Sequence, residues 1–274
     1  MRSISFIGGG HMASAILGGL LKQGHPAGAL LVIEPNDTQR EKLIAEFGVA
    51  ALPSADARLA GSELVVWAVK PQSFFEAAAP CAPFVQEALH LSVMAGIRLD
   101  AVARATGAAR VVRAMPNTPA LIGRGIAGLY AASVVTAGER SRVEQVLAAT
   151  GECLWVAHES DLDAVTALSG SGPAYVFYLV EAMMQAGVDM GLSAEQGRRL
   201  ALSTLAGATA LAQSSPDAPA VLRERVTSKG GTTHAAVSRL ESAGVKKAVV
   251  AAILAAQARA RELGDEFGGS FPAR

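Results

Sequence analysis

The stretch Ser3-Ile4-Ser5-Phe6-Ile7-Gly8-Gly9-Gly10-His11-Met12-Ala13 decides the fold. Ile4 to Ile7 is a short apolar run that stops abruptly at glycines, the pattern of a buried strand. A helical spacing follows over residues 11–22. The glycines between them read G-x-G-x-x-A, and the pattern gains specificity from lying between a strand and a helix. Each position has its own physical reason. Gly8 permits a tight turn, Gly10 has no side chain to keep a pyrophosphate off the backbone, and Ala13 lets the helix pack closely on the strand. The head of the helix, with His11 and Met12, offers unpaired N–H groups and a positive dipole end to phosphates.

Outward from this unit the first half alternates. Residues 30–33, 64–69, 89–93, 110–114 and 126–130 read as strands. Residues 38–47 and 72–89 read as helices, the second interrupted by Pro80 and Pro83. Continuous apolar strands alternating with helices predict a parallel sheet covered on both faces. Beyond about Glu159 the strand-like runs stop. Residues 173–190, 194–213, 218–225, 232–242 and 245–267 read as helices, each behind a start or turn signal. The expected class is α/β: a doubly wound Rossmann domain over residues 1–158, then an all-helical domain over residues 159–274, with no Pro/Gly/Ser linker. The segment 173–190 is apolar on every face, so it must be buried all round. Burial against a second subunit is the expectation; a deep core within the domain is the alternative.

Composition narrows the function classes. Of 274 residues, 51% are hydrophobic and 18% charged, which supplies a core and excludes general disorder. Lys plus Arg equals Asp plus Glu at 24 each, so a chain held by nucleic-acid phosphates or an anionic membrane is not expected. Cys81 and Cys153 cannot make a disulfide framework or a Cys-rich zinc site. The five histidines lack ligand spacing, so no metal is expected. The apolar run at the start is too short for a signal peptide, and no stretch of about 20 residues could span a bilayer. A cytoplasmic protein is expected.

Ligands of open parallel sheets sit beyond the carboxyl ends of the strands. The second strand ends at Glu34-Pro35-Asn36. An acid there would accept bonds from adenosine ribose hydroxyls and favour NAD; Asn36, Thr38 and Arg40 could instead donate to the 2′-phosphate of NADP. The choice stays open on the sequence. At the same edge lie Val69, Lys70 and Pro71 after the third strand, Ala95 and Gly96 after the fourth, and Asn117 with Thr118 between two prolines after the fifth. Small residues at 95 and 96 would leave room for a nicotinamide ring. In the helical half, Ser169-Gly-Ser-Gly-Pro-Ala-Tyr175 and Thr227-Ser-Lys-Gly-Gly-Thr-Thr233 are small, hydroxyl-rich turns that open helices. Such turns bind carboxylates, although Ser and Thr also serve as ordinary helix caps.

These segments, with Phe6-Ile-Gly-Gly-Gly10, Ala68-Val-Lys-Pro-Gln72 and Met115-Pro-Asn-Thr-Pro119, resemble the pyrroline-5-carboxylate reductase family over essentially the whole chain. The resemblance implies a Rossmann domain followed by a helical dimerisation domain. It implies NADPH- or NADH-dependent reduction of the cyclic imine L-1-pyrroline-5-carboxylate to L-proline, the last step of proline biosynthesis, in a homodimer that can assemble into a decamer. It assigns Thr233 to the hydrogen bond with the ring nitrogen, and Ser228, Gly230, Gly231 and Thr232 to the substrate carboxylate, with Asn117 nearby. The cofactor would lie along Gly8, Gly10, His11, Met12, Glu34, Asn36, Val69, Lys70, Pro71 and Ala95. His11 stands where the family usually has Asn or Gln, and Lys229 where it often has Pro. Two rivals differ in class: a keto- or hydroxy-acid dehydrogenase, which needs an interior acid/base lysine, and a nucleotide sensor without turnover, which needs no carboxylate pocket.

Overall fold

The structure, a computed structural model, describes residues 3–268. The first strand and helix form as the sequence predicts: β1 (Ile4–Ile7) is buried along its length, and α1 (His11–Lys22) buries Ala13, Ile16, Leu17, Gly19 and Leu20. There follow β2 (Leu30–Ile33), α2 (Asp37–Phe47), β3 (Ala50–Leu52), β4 (Leu64–Trp67), α3 (Phe74–Val85), β5 (Leu89–Ser92), α4 (Leu99–Thr106), β6 (Val111–Met115), β7 (Gly125–Ala131), α5 (Ala137–Leu147) and β8 (Gly151–Trp155). The strands form one sheet in the order β3-β2-β1-β4-β5-β6-β7-β8. Alternate residues feed two cores, one on each face. Phe6, Val32, Val66 and Leu91 join Ile16 and Leu17 on one side. Ile7, Ile33, Val65 and Trp67 join Phe74 and Val85 on the other.

The observed sheet corrects the sequence reading in three ways. β7 runs antiparallel to β6, because residues 116–124 hold only a 3₁₀ turn, Thr118–Ile122, and a parallel return needs a crossover of a dozen or more residues. β3 and β8 are strands that the apolar pattern does not show. Both are edge strands with half-exposed positions, so neither carries a continuous apolar run. Pro80 and Pro83 lie inside α3 without ending it. Its buried stripe, Phe74, Ala78, Cys81 and Val85, holds the helix against the sheet, and both prolines are on the exposed side.

After β8, α6 (Asp161–Val165) runs into a π-type turn, Thr166–Gly170, closed by the Ser171 N–H on the Thr166 carbonyl at 2.8 Å. Five further helices follow: α7 (Gly172–Asp189), α8 (Ala194–Ser214), α9 (Pro219–Arg225), α10 (Thr232–Ser242) and α11 (Val245–Gly268). By contact the chain divides into residues up to Ser171 together with those from Ala256 onward, and a second unit, Gly172–Ala255. The last turns of α11 thus belong to the sheet-containing unit. There Phe267 joins the second core and Asp265 pairs with Arg98 at 2.5 Å.

In the helical unit α7 and α8 approach closely. A Cβ at Gly187 would stand 3.2 Å from the Gly197 α-carbon. Yet α7 is not a core helix of the single chain. Its only buried residues are Val180 and Gly187, while Phe177 is 60% and Tyr178 77% exposed. A deep intradomain core is thereby excluded, and the apolar surface is left for a partner to cover.

Candidate active site

The glycine loop has the strain and the room that the sequence predicts. Gly8 adopts φ +94°, and a Cβ there would sit 2.7 Å from the Ala68 carbonyl oxygen. Only glycine allows β1 to turn this close to the end of β4. A Cβ at Gly10 would meet nothing within 4 Å, so the backbone is open to an approaching ligand. Gly10 is the N-cap of α1 and supplies no side-chain cap. The first N–H groups of the helix therefore have no intrahelical acceptor and point to where an anion would sit. His11 is exposed there, while the Met12 side chain packs against the core. A pyrophosphate fits this cradle.

Glu34 closes the loop from the side. Its Oε2 accepts the Gly9 N–H at 2.8 Å and its Oε1 accepts the Asn36 N–H at 2.9 Å. Asn36 caps α2 by accepting the Gln39 N–H at 2.9 Å. Gln39 then donates its side-chain amide to the Gly9 carbonyl at 2.5 Å. Sequence reasoning missed Gln39; the Asn36-x-x-Gln39 spacing of a capping box was the available signal. Arg40 donates to the carbonyls of Glu34 and Pro35 at 2.8 Å each and pairs with Asp37.

The other loops of this edge come together around β4, β5 and β6. Val69 lies beside Gly8, its Cγ1 2.9 Å from where a Cβ would be. Lys70 is exposed and caps the short 3₁₀ turn that begins at Pro71. Ala95 is half-buried. Gly96, at φ +75°, is covered by Phe267, whose ring would lie 2.8 Å from a Cβ. Asn117 uses both ends of its amide within the protein. Its Oδ1 accepts the Ile126 N–H at 3.1 Å, and its Nδ2 donates to the Ser169 carbonyl at 3.3 Å. It ties the end of β6, the start of β7 and the π-type turn into one piece.

The second turn singled out by sequence, residues 227–233, lies in the helical unit. Gly230 has φ +76°, and the Gly231 N–H bonds the Ser228 carbonyl at 3.0 Å. Gly231 is the N-cap of α10, again without a side-chain cap. The hydroxyls of Ser228, Thr232 and Thr233 are thus not used as the ordinary cap that the sequence left open. Ser228, Lys229 and Thr232 are exposed and Thr233 is half-buried. Among the described residues no group of three or more His, Cys, Asp or Glu could hold a metal. Burial pushes the Cys81 thiol up to about 11, which keeps it an inert packing group.

A glycine turn at the head of a mostly parallel sheet, with a helical unit following in the chain, is the arrangement found in NAD(P)-dependent oxidoreductases. The comparisons agree. Residues 3–96 match the family described as NADP oxidoreductase, coenzyme F420-dependent, and residues 159–263 match pyrroline-5-carboxylate reductase dimerisation. The chain is 43% identical to a pyrroline-5-carboxylate reductase of Pseudomonas aeruginosa, over 97% of this chain and 98% of that one. The corresponding figures for a Haemophilus influenzae relative of the same name are 39%, 95% and 97%. A solved pyrroline-5-carboxylate reductase of Coxiella burnetii superposes with TM-score 0.88 at 33% identity, over 96% of this chain and 98% of that one. That of Plasmodium falciparum, with NADP bound, gives TM-score 0.85 at 26% identity, over the same shares. The chain belongs to the pyrroline-5-carboxylate reductase family.

Proposed function

We infer that this chain reduces L-1-pyrroline-5-carboxylate to L-proline with NADPH or NADH, the last step of proline biosynthesis. Family membership carries the reaction. The observation that carries the site is the pair of uncapped helix starts, α1 behind Gly8-Gly9-Gly10 and α10 behind Ser228-Lys-Gly-Gly231. One suits a pyrophosphate and the other a carboxylate. The dinucleotide, when bound, supplies a hydride to the imine carbon. The protein positions and polarises. We assign the dinucleotide to Gly8, Gly10, the N–H groups of His11 and Met12, Glu34, Asn36, Val69, Lys70, Pro71 and Ala95. We assign the substrate carboxylate to Ser228, Gly230, Gly231 and Thr232, and the ring nitrogen to the Thr233 hydroxyl. Asn117 serves the substrate end through the segments that it joins. A keto-acid dehydrogenase reading lacks its acid/base, since Lys229, Lys246 and Lys247 are all exposed.

The helical domain, residues 159–274 in this reading, is the dimerisation domain, and a decamer of five dimers is the proposed assembly. No described helix is long and apolar enough to cross a membrane. The cytoplasm is the proposed compartment, supported by two cysteines that are both free. The test is NADPH and NADH oxidation at 340 nm with pyrroline-5-carboxylate. Thr233→Ala should lower kcat roughly 10- to 100-fold, the worth of a hydrogen bond to a charged group. Tight nucleotide binding without turnover of the imine would sink the reading.

A further inference from the structure

The sequence leaves the choice between the two cofactors open because Glu34 and its neighbours Asn36, Thr38 and Arg40 argue in opposite directions. The geometry separates them. Glu34 is held by two backbone N–H groups, Gly9 at 2.8 Å and Asn36 at 2.9 Å, one on each carboxylate oxygen. The carboxylate therefore has a fixed place, beyond the end of β2 and against the glycine loop. Each oxygen keeps a lone pair for a further donor. This is where an acid of the fold meets the adenosine ribose hydroxyls.

The cation that could have answered it is turned away. Arg40 spends its guanidinium on the carbonyls of Glu34 and Pro35 and on the Asp37 carboxylate, and its side chain is only 17% exposed. Asn36 uses its side-chain oxygen to cap α2. What remains for a 2′-phosphate is neutral donors beside a full negative charge.

We propose that Glu34 sets the cofactor choice of this reductase and favours NADH over NADPH. The ribose hydroxyls of NADH donate to the carboxylate. The 2′-phosphate of NADPH replaces one of those donors with acceptor oxygens and brings like charge against the fixed carboxylate. The inference rests on the reductase reading for its kinetic arm.

The experiment pairs turnover with binding. kcat/KM is measured for NADH and NADPH with pyrroline-5-carboxylate. Dissociation constants are measured by calorimetry for NAD+ and NADP+, and for 5′-AMP and adenosine 2′,5′-bisphosphate, on wild type and Glu34→Gln. Wild type should favour the nucleotide without the 2′-phosphate at least tenfold in each pair. Glu34→Gln should shrink that ratio at least tenfold, chiefly by strengthening the 2′-phosphorylated partner. Equal or tighter binding of NADP+ by wild type overturns the proposal. So does a Glu34→Gln variant that weakens both nucleotides by the same factor, which would make Glu34 a strut of the loop only. If the variant does not fold, the wild-type comparison of the two adenosine nucleotides decides. Absence of imine turnover with either cofactor would fail the reductase reading, while the binding arms would still judge Glu34.

Discussion

Gly8 and Gly10 stand two residues apart and need to be glycine for different reasons. Gly8 answers to the protein: positive φ and a Cβ 2.7 Å from the Ala68 carbonyl make any side chain costly. Gly8→Ala should destabilise by about 2 kcal/mol and lower Tm by roughly 4–8 °C. Gly10 answers to the ligand, since a Cβ there touches nothing. Gly10→Ala should leave Tm within about 2 °C of wild type and raise the cofactor KM at least about tenfold. Calorimetry and steady-state kinetics on the two variants check both. His90 makes a second residue-scale case. It is fully buried, its Nδ1 accepting from the Trp67 indole at 2.8 Å and its Nε2 bonded to the Val85 carbonyl at 2.9 Å. Burial pushes its pKa down to about 4, against 6.5 when exposed. Below pH 6.5 the unfolded chain takes up this proton and the folded one does not, so stability falls with pH until about pH 4. The loss is about 3 kcal/mol. Urea midpoints at pH 7 and pH 4.5 should show it, and His90→Gln should flatten the difference.

Elements with a long apolar stripe were legible from sequence; elements held by a few polar bonds were not. α1 and the buried strands β1, β2, β4 and β5 follow from runs that must leave water, whereas α2 buries only Leu43 and is announced by the Asn36 cap at its start. α4 escaped notice because its start is capped from a distance. The Leu99 N–H bonds the Glu159 carboxylate at 2.7 Å, and no spacing within residues 98–102 announces it. The same carboxylate receives Arg113 from β6 at 2.6 Å, with Arg113 only 8% exposed. Removing it strands a buried guanidinium as well as the helix start. Glu159→Ala should cost about 3 kcal/mol, and the added change Arg113→Met should recover much of that. Chemical denaturation of the single and double variants reads both. The candidate site divides in the same way. The glycine turn is visible in one dimension, whereas the link from Gln39 to Gly9 and the bridge of Asn117 to Ser169 join residues far apart in sequence.

For the whole molecule, one chain does not complete its own burial. Phe177, Tyr178 and Met190 of the α7 region, and Leu200 and Leu211 of α8, remain largely exposed. An apolar surface of this extent marks an interaction face. The sequence told of it through a helix with no polar side, but the identity of the partner is a matter of family, not of periodicity. Tyr178→Glu together with Phe177→Asp should shift the protein toward the 28.0 kDa monomer in light scattering, with loss of turnover and aggregation-prone behaviour on concentration. A multiple of that mass from the double variant, unchanged from wild type, would move the interface elsewhere.

α11 starts in one compact unit and finishes in the other, with Phe267 seated over Gly96 and Asp265 on Arg98. The two units therefore cannot be traded between relatives at a single junction. A hybrid gene that joins residues 1–171 of this chain to the remainder of another would take the side chain seated over Gly96 from the other parent, so moving the first unit intact means moving residues 1–171 together with the last turns of α11.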